Sequence, residues 1–123
     1  MDSSAEQIAR YHIGLGWPGC GYHFVVRWDG TIEQANDLAY MSYNVASRNR
    51  EVAGICLPGD YTHKIPRQLQ LEAAIKLVKW LLKASLPGRK VVGHRDIALP
   101  GHETECPGNQ WPIWRKLFAP YYI

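Results

Sequence analysis

The sequence predicts a single α/β domain with a mixed central β-sheet flanked by helices. Three observations support this prediction: a strand–turn–strand pattern around Asp29-Gly30, an apolar run over 52–57, and a long amphipathic helix that follows Pro66. The predicted order is helix, hairpin, strand, helix, strand, loop and helix, which is typical of α/β folds. Since 123 residues suffice for one hydrophobic core, residues 1–123 are predicted to form one domain.

The first helix is predicted from its capping residues. Ser3 or Ser4 can cap a helix that runs to about Ile13, and Glu6 or Gln7 stands where a capping box needs it. A glycine-dense stretch follows this helix and is predicted to be a loop.

The strands are predicted from alternation and from apolar runs. Residues 22–28 should form a strand, a two-residue turn at Asp29-Gly30 should follow, and residues 31–34 should form the returning strand. Residues 37–51 lack clean periodicity and are expected to form a long exposed loop. The continuous apolar run over 52–57 predicts a buried strand, and residues 90–92 a second short one.

The long helix should begin at Pro66, because a missing N–H costs nothing at the first helical position. Its apolar residues fall on one face: Leu71, Ala74, Ile75, Val78, Leu81 and Leu82. Its charged residues fall on the opposite face: Glu72, Lys76, Lys79 and Lys83. Residues 97–108 are predicted to be a loop, and residues 111–118 a short closing helix.

Composition excludes several classes of protein. With 46% hydrophobic and 20% charged residues, the chain is neither disordered, collagen-like nor a coiled coil. No segment approaches the ~20 apolar residues of a membrane span, so no membrane partner is expected. No signal-peptide pattern is visible, which is compatible with cytoplasmic residence, a trimmed leader or another export route. Three cysteines, an odd count, do not predict a disulfide framework.

Positive charge is concentrated in residues 64–95, which hold eight basic residues and one acidic residue. Such a segment fits an anionic polymer or simply a solvated helix face. Because no arginine-rich or aromatic-interleaved stretch accompanies it, a nucleic-acid partner is not expected.

Two residues near the C-terminal end have the chemistry of metal ligands. His94 follows a predicted strand and a glycine, and Cys106 lies twelve residues later in a polar loop where burial does not explain it. A neutral imidazole and a thiolate are both good zinc ligands, although the spacing alone also fits a structural loop. Tyr22 is a further candidate, since its hydroxyl can bind a substrate carbonyl or a metal-bound water, or its ring can merely pack.

Eight segments, spread over nearly the whole chain, follow one another in a recognisable order. They are Tyr11-His12, Gly16-Trp17, Gly21-Tyr22-His23-Phe24, Asp29-Gly30-Thr31-Ile32-Glu33, Asn49, Gly54-Ile55-Cys56-Leu57-Pro58-Gly59, Gly93-His94-Arg95-Asp96 and Cys106-Pro107-Gly108. In this order the chain resembles the type 2 N-acetylmuramoyl-L-alanine amidases, a family that includes phage endolysins and peptidoglycan recognition proteins. The resemblance implies the amidase-2/peptidoglycan recognition protein-like fold.

The resemblance implies a zinc-dependent hydrolase that cleaves the lactyl–L-alanine amide of peptidoglycan, or alternatively a non-catalytic peptidoglycan-binding domain. It implies that His94 and Cys106 are zinc ligands and that Tyr22 steadies the metal-bound water or the developing oxyanion. Thr104 stands where some relatives have a catalytic lysine, and would act as an uncharged hydrogen-bond donor. Zinc with three protein ligands would supply a water with a pKa near ~7.

One feature of the family has no counterpart in this sequence. The family's first zinc ligand is a histidine on a strand before the first helix, whereas no histidine here precedes His12, which matches a non-ligand position. Three explanations stay open: a longer natural protein, recruitment of His12, His23 or His102 as the third ligand, or a relative that only binds peptidoglycan. In each case the expected partner is a muropeptide, met at the cell wall after secretion or lysis.

Overall fold

The computed structural model describes residues 1–38, 52–98, 100–101, 103–119 and 121. The predicted loop over 37–51, apart from its first two residues, lies outside this part of the chain. The helices and strands are α1 (Ala5–Gly14), β1 (Phe24–Val26), β2 (Ile32–Gln34), β3 (Ile55–Cys56), α2 (Gln68–Ala84), α3 (His94–Ile97) and α4 (Trp111–Trp114), which continues as a 3₁₀ helix over Arg115–Phe118.

The first helix begins as its capping residues predict. The Ser4 hydroxyl accepts a hydrogen bond from the Gln7 amide at 3.1 Å, and the Gln7 side chain accepts one from the Ser4 amide at 2.8 Å. This reciprocal pair satisfies two N–H groups that the helix itself leaves unpaired. The Ala5 amide also donates to the Glu33 carboxylate at 2.8 Å, which fixes the start of α1 against β2.

The sheet is mixed, which confirms the predicted fold class. Its strand order is β2-β1-β3, with β1 antiparallel to β2 and parallel to β3. All three residues of the central strand β1 are buried, with β2 on one edge, β3 on the other and α2 packed against it. Within the part of the chain that the structure describes, β3 is an edge strand, and both of its residues are only half-buried.

The hairpin is confirmed, but the predicted two-residue turn at Asp29-Gly30 is wrong. The Arg27 amide donates to the Thr31 carbonyl at 2.8 Å, so the loop also includes Trp28. Gly30 adopts φ +89°, a left-handed conformation that suits the last position of a three-residue hairpin loop.

The long helix α2 supplies most of the core. It begins two residues later than predicted, after Arg67, and its apolar face packs against β1. The main cluster of buried residues is Phe24, Val26, Leu71, Ala73, Ala74, Leu77, Val78, Leu81, Trp111, Trp114 and Phe118. The charged side chains predicted on the opposite face are exposed: Glu72, Lys76, Lys79 and Lys83. No described helix is both long and apolar enough to cross a bilayer.

The predicted strand over 90–92 is wrong. The Val91 amide donates to the Tyr121 carbonyl at 2.9 Å, and residues 90–92 join no sheet within the described ranges. A strand requires a paired neighbour, and a cavity lies between this segment and β3. His94 therefore begins the short helix α3, with Gly93 as its N-cap, instead of following a strand.

Candidate functional site

A cavity of about 920 Å³ lies between β3 and the segment 90–94. Its floor is apolar and includes Ala74, Val78 and Leu81 of α2. Three of the residues predicted from the sequence line this one cavity: Tyr22, His94 and Cys106. The fold therefore brings together an imidazole, a thiol and a phenol that lie far apart in the sequence.

Main-chain hydrogen bonds hold the two C-terminal site residues next to each other. The Arg95 amide donates to the Cys106 carbonyl at 2.8 Å, which ties the start of α3 to the cysteine loop. The Asp96 carboxylate accepts hydrogen bonds from the Gly93 amide and from the Trp111 indole, both at 2.8 Å. The turn that presents His94 is thus fixed at both ends.

Burial sets the protonation of these two side chains. His94 is half-buried, and desolvation lowers the pKa of its imidazole. At neutral pH it is therefore uncharged, the form that binds a metal or accepts a proton. Desolvation by the surrounding loop raises the pKa of the Cys106 thiol, although part of the residue is open to solvent. Cys106 is therefore a neutral thiol unless a cation displaces its proton.

Tyr22 lines the same cavity from the end of the loop before β1. Its carbonyl accepts a hydrogen bond from the Asn36 side chain at 2.7 Å, and its phenol lies near the Cys56 thiol. Burial, and then the neighbouring Cys56 and Cys106, raise the pKa of this phenol far above its ordinary value. Tyr22 therefore stays protonated and can donate a hydrogen bond, but it cannot serve as a base.

Thr104 does not line the cavity. Its hydroxyl accepts a hydrogen bond from the Cys106 amide at 3.1 Å, within the turn that precedes the cysteine. In this arrangement the side chain positions the Cys106 backbone. The catalytic role that the resemblance implies for Thr104 stays a prediction.

The imidazole of His94 and the thiol of Cys106 are kinds of ligand that zinc binds, but two ligands are too few for a catalytic zinc site. Within the described residues, no group of three or more histidine, cysteine, aspartate or glutamate side chains is arranged to hold a metal ion. The Nδ1 atoms of His12 and His23 already accept hydrogen bonds from the amides of Gly21 and Gly54. His102, the third alternative ligand, lies outside the described residues. A catalytic zinc site uses three protein ligands, and the described part of the chain supplies two.

Sequence reasoning missed several residues that shape the site. Asn36 holds the Tyr22 carbonyl, Cys56 lies near the phenol, and Trp111 anchors Asp96. Only Asp96 had a local signal, because an acidic residue three positions after a glycine N-cap can accept from the cap's amide. The other contacts join distant parts of the chain and have no local pattern.

The fold and the site place this chain among α/β domains with a small mixed sheet and an open cleft along one sheet edge. Residues 1–109 match the family model described as N-acetylmuramoyl-L-alanine amidase. The chain belongs to this amidase family.

Relatives of known sequence or structure include both enzymes and recognition proteins. The endolysin of Klebsiella phage KP32 is 31% identical over 121 residues, covering 93% of this chain and 76% of the endolysin. The N-acetylmuramoyl-L-alanine amidase LysC from Clostridium intestinale superposes with a TM-score of 0.83 at 27% identity, covering 94% of this chain and 74% of LysC. Human PGRP-IBETAC, solved with glycosamyl muramyl pentapeptide, superposes with a TM-score of 0.80 at 25% identity, covering 94% and 70%. At the family level, the chain is a peptidoglycan amidase or recognition domain.

Proposed function

We propose that this domain binds the peptide-bearing N-acetylmuramic acid of peptidoglycan and hydrolyses the amide between its lactyl group and L-alanine. The observation that supports this most directly is the convergence of Tyr22, His94 and Cys106 on one cavity. Membership of the amidase family supports the reaction class. The muramyl pentapeptide bound by the human structural relative supports the substrate class.

The chemistry available to the chain's own residues fits amide hydrolysis. Attack on an amide carbon produces a tetrahedral intermediate whose oxygen carries negative charge. The Tyr22 phenol stays protonated and lines the cavity, so it is available to donate a hydrogen bond to that oxygen. Removing one such donor typically slows the reaction by ~100- to 1000-fold.

Zinc belongs to the proposal as an expected cofactor. His94 and Cys106 provide an imidazole nitrogen and a sulfur, the donor types that zinc prefers. A third donor is needed before water can be activated at the metal, and we therefore assign no reaction step to zinc in the described part of the chain. Of the three histidines considered from the sequence, His12 and His23 are engaged elsewhere.

The presence of only two candidate zinc ligands in the described part of the chain favours a second function, the binding of peptidoglycan without hydrolysis. A domain with only two metal ligands would hold zinc weakly and would orient a water loosely. It could still bind a muropeptide through the cavity. This candidate predicts retention on insoluble peptidoglycan that a chelator does not change, with no soluble peptide released.

One experiment distinguishes the two functions. The purified chain is incubated with insoluble peptidoglycan, with and without added zinc, and released stem peptides with a free L-alanine amino group are measured by mass spectrometry. Amidase function predicts zinc-stimulated release, and Tyr22→Phe should lower the rate by ~100- to 1000-fold. Tyr11→Phe is the matched control, because this tyrosine is 66% exposed and does not line the cavity. Binding without release would support recognition alone, and the absence of both would overturn both functions.

A further inference from the structure

We propose that His12 is a positioning residue, which holds the Tyr22 phenol in the cavity through the backbone of Gly21. The inference rests on the proposed function only in that Tyr22 is the group being positioned. It starts from the burial of His12, which is the one residue of α1 that is buried, at 7% exposure.

The contact between His12 and the loop before β1 is a buried side-chain-to-backbone hydrogen bond. The His12 Nδ1 atom accepts from the Gly21 amide at 2.8 Å. Because Nδ1 is the acceptor, the neutral ring carries its proton on Nε2. The residue bonded to the imidazole is thus the immediate neighbour of Tyr22.

Packing leaves this loop little freedom to move. A Cβ atom on Gly21 would stand 3.0 Å from the Trp17 ring and 3.1 Å from the His12 ring, so the backbone lies directly against both side chains. The Trp17 ring covers the imidazole, with centroids 4.4 Å apart, and the Tyr22 ring lies 5.9 Å from it. Any side chain at residue 21 would therefore push against these two rings.

Asn36 holds the same loop from its carbonyl side. Its side-chain amide donates to the carbonyls of Cys20 and Tyr22, at 2.9 and 2.7 Å. Residues 20–22 are therefore fixed by one amide contact to His12 and by two carbonyl contacts to Asn36. Only the contact to His12 depends on the protonation of its partner, and this difference makes the two contacts separable by experiment.

The His12 contact should weaken in acid. Protonation of Nδ1 would place a donor opposite the Gly21 N–H, where the structure needs an acceptor. The titratable groups that face the ring are Tyr11 on α1 and Tyr22 on the loop, and burial raises the pKa of the Tyr22 phenol far above its ordinary value. Burial alone lowers the pKa of His12. The hydrogen bond to neutral His12 therefore stabilises the fold above a pH of about 6.5, the pKa of histidine in the unfolded chain. This stabilisation is lost as the pH falls below that value and through the lower pKa of His12 in the folded protein.

The test compares His12→Asn with His12→Phe. Asparagine keeps an acceptor near the position of Nδ1 but does not titrate, whereas phenylalanine keeps an aromatic ring and removes the acceptor. Amide exchange at Gly21 is measured by NMR as a protection factor, which corrects for the intrinsic effect of pH. His12→Phe should lower this protection about 5- to 10-fold at pH 7 and shift the Tyr22 ring resonances. His63→Phe, at an exposed histidine, is the control and should change neither.

The pH profile separates positioning from mere packing. Wild-type protection at Gly21 should fall between pH 7 and pH 5, while His12→Asn should keep protection throughout this range. Unchanged Gly21 protection and Tyr22 resonances in His12→Phe would overturn the proposal, even for an active enzyme. If His12→Phe does not fold, a pH-independent wild-type profile would overturn it instead. If the wild type releases no stem peptide while both NMR readouts follow His12 as predicted, the proposed function fails and the positioning role stands.

Discussion

The two edges of the central strand β1 differ in how completely they are covered. On one edge, three residues of β1 pair with β2, and a tight loop closes the hairpin. On the other edge, only two residues pair with β3, and the cavity follows directly. We call the first edge, formed by β1, β2 and the loop between them, the frame. The second edge, beside β3, carries the candidate site. Stability and chemistry are therefore concentrated on opposite edges of one strand.

A buried polar network joins α2 to β1 and to the segment after β3, where Pro58 and Tyr61 line the cavity. Gln70 is fully buried, and its amide donates to the carbonyls of Val26 and Pro58, at 3.0 and 3.2 Å. The Tyr61 hydroxyl lies within hydrogen-bond distance of the Gln70 side-chain oxygen, at 2.8 Å, and of the Pro58 carbonyl, which also accepts from the Trp28 indole. One glutamine therefore links β1, α2 and the segment after β3.

The turn at His94, across the cavity from β3, is held by fewer contacts. The turn at His94 is fixed by the Asp96 carboxylate and by the bond between Arg95 and Cys106. Because local opening follows the density of buried contacts, this turn should open at lower free energy than the frame. Four substitutions test this difference, in order of decreasing expected effect.

Gln70→Ala should have the largest effect, because it removes a buried side-chain amide that bonds the Val26 and Pro58 carbonyls and the Tyr61 hydroxyl, and it opens a cavity. We expect the free energy of unfolding to fall by about 2–4 kcal/mol, measured by chemical denaturation. Gln68→Ala, at an exposed position of the same helix, is the control. A loss below about 1 kcal/mol would contradict the importance of the network.

Gly93→Ala should perturb the cavity edge without disturbing the frame. A Cβ atom at this position would stand 2.6 Å from the Trp111 indole nitrogen and 2.9 Å from Pro107 Cδ. Such overpacking should lower the free energy of unfolding by about 1–3 kcal/mol. It should also shift the NMR signals of His94. Gly19→Ala meets nothing within 4 Å and should be neutral. Equally large shifts throughout β1 and α2 would show that the two edges are not independent.

Trp111→Phe removes the indole N–H that donates to Asp96. We expect the free energy of unfolding to fall by about 1–2 kcal/mol, and the Gly93 amide to be less protected from hydrogen exchange. Trp114→Phe is a matched control, since it is equally buried and its indole N–H has no hydrogen-bond partner in the described part of the chain. Equal losses in the two variants would show that ring volume, and not the bond to Asp96, matters.

Asp2→Asn should have the smallest effect. The Arg27 guanidinium, hydrogen-bonded to Asp2 at 3.1 Å, lowers the pKa of this carboxyl below its ordinary value of 3.8. The stabilisation is therefore present above pH 3.8 and is lost as pH falls through the folded pKa. Because the pair is partly exposed, the cost at pH 7 should be under ~1 kcal/mol. Denaturation at pH 7 and pH 2.5 checks this, and an equal cost at both would argue against a charge effect.

The elements that could be predicted from the sequence are those with local signals. The capping box at Ser4 and the apolar face of α2 depend on residues within a few positions of one another. The strand predicted over 90–92 failed because pairing depends on a neighbour in space, and β3 lies across the cavity. Gln70 gave no signal as a core residue, since its burial requires partners up to 44 residues away.

The candidate site was predictable only in part. The resemblance selected Tyr22, His94 and Cys106, and the fold brings all three to one cavity. It gave no indication of the bond from Gly21 to His12 or of the two bonds made by Asn36, because these join loops that are separate in the sequence. Residue type identifies the reactive groups, while the residues that hold them in place emerge only from the fold.

The hydrogen bond between Val91 and Tyr121 has a practical consequence for assay design. It holds Tyr121 close to a segment that ends at His94, and Met1 lines the same cavity. A dye or affinity handle attached at Met1 or Tyr121 would therefore sit beside the opening. The exposed amines of Lys76, Lys79 and Lys83 lie on the outer face of α2 and offer an attachment route that leaves the opening unobstructed.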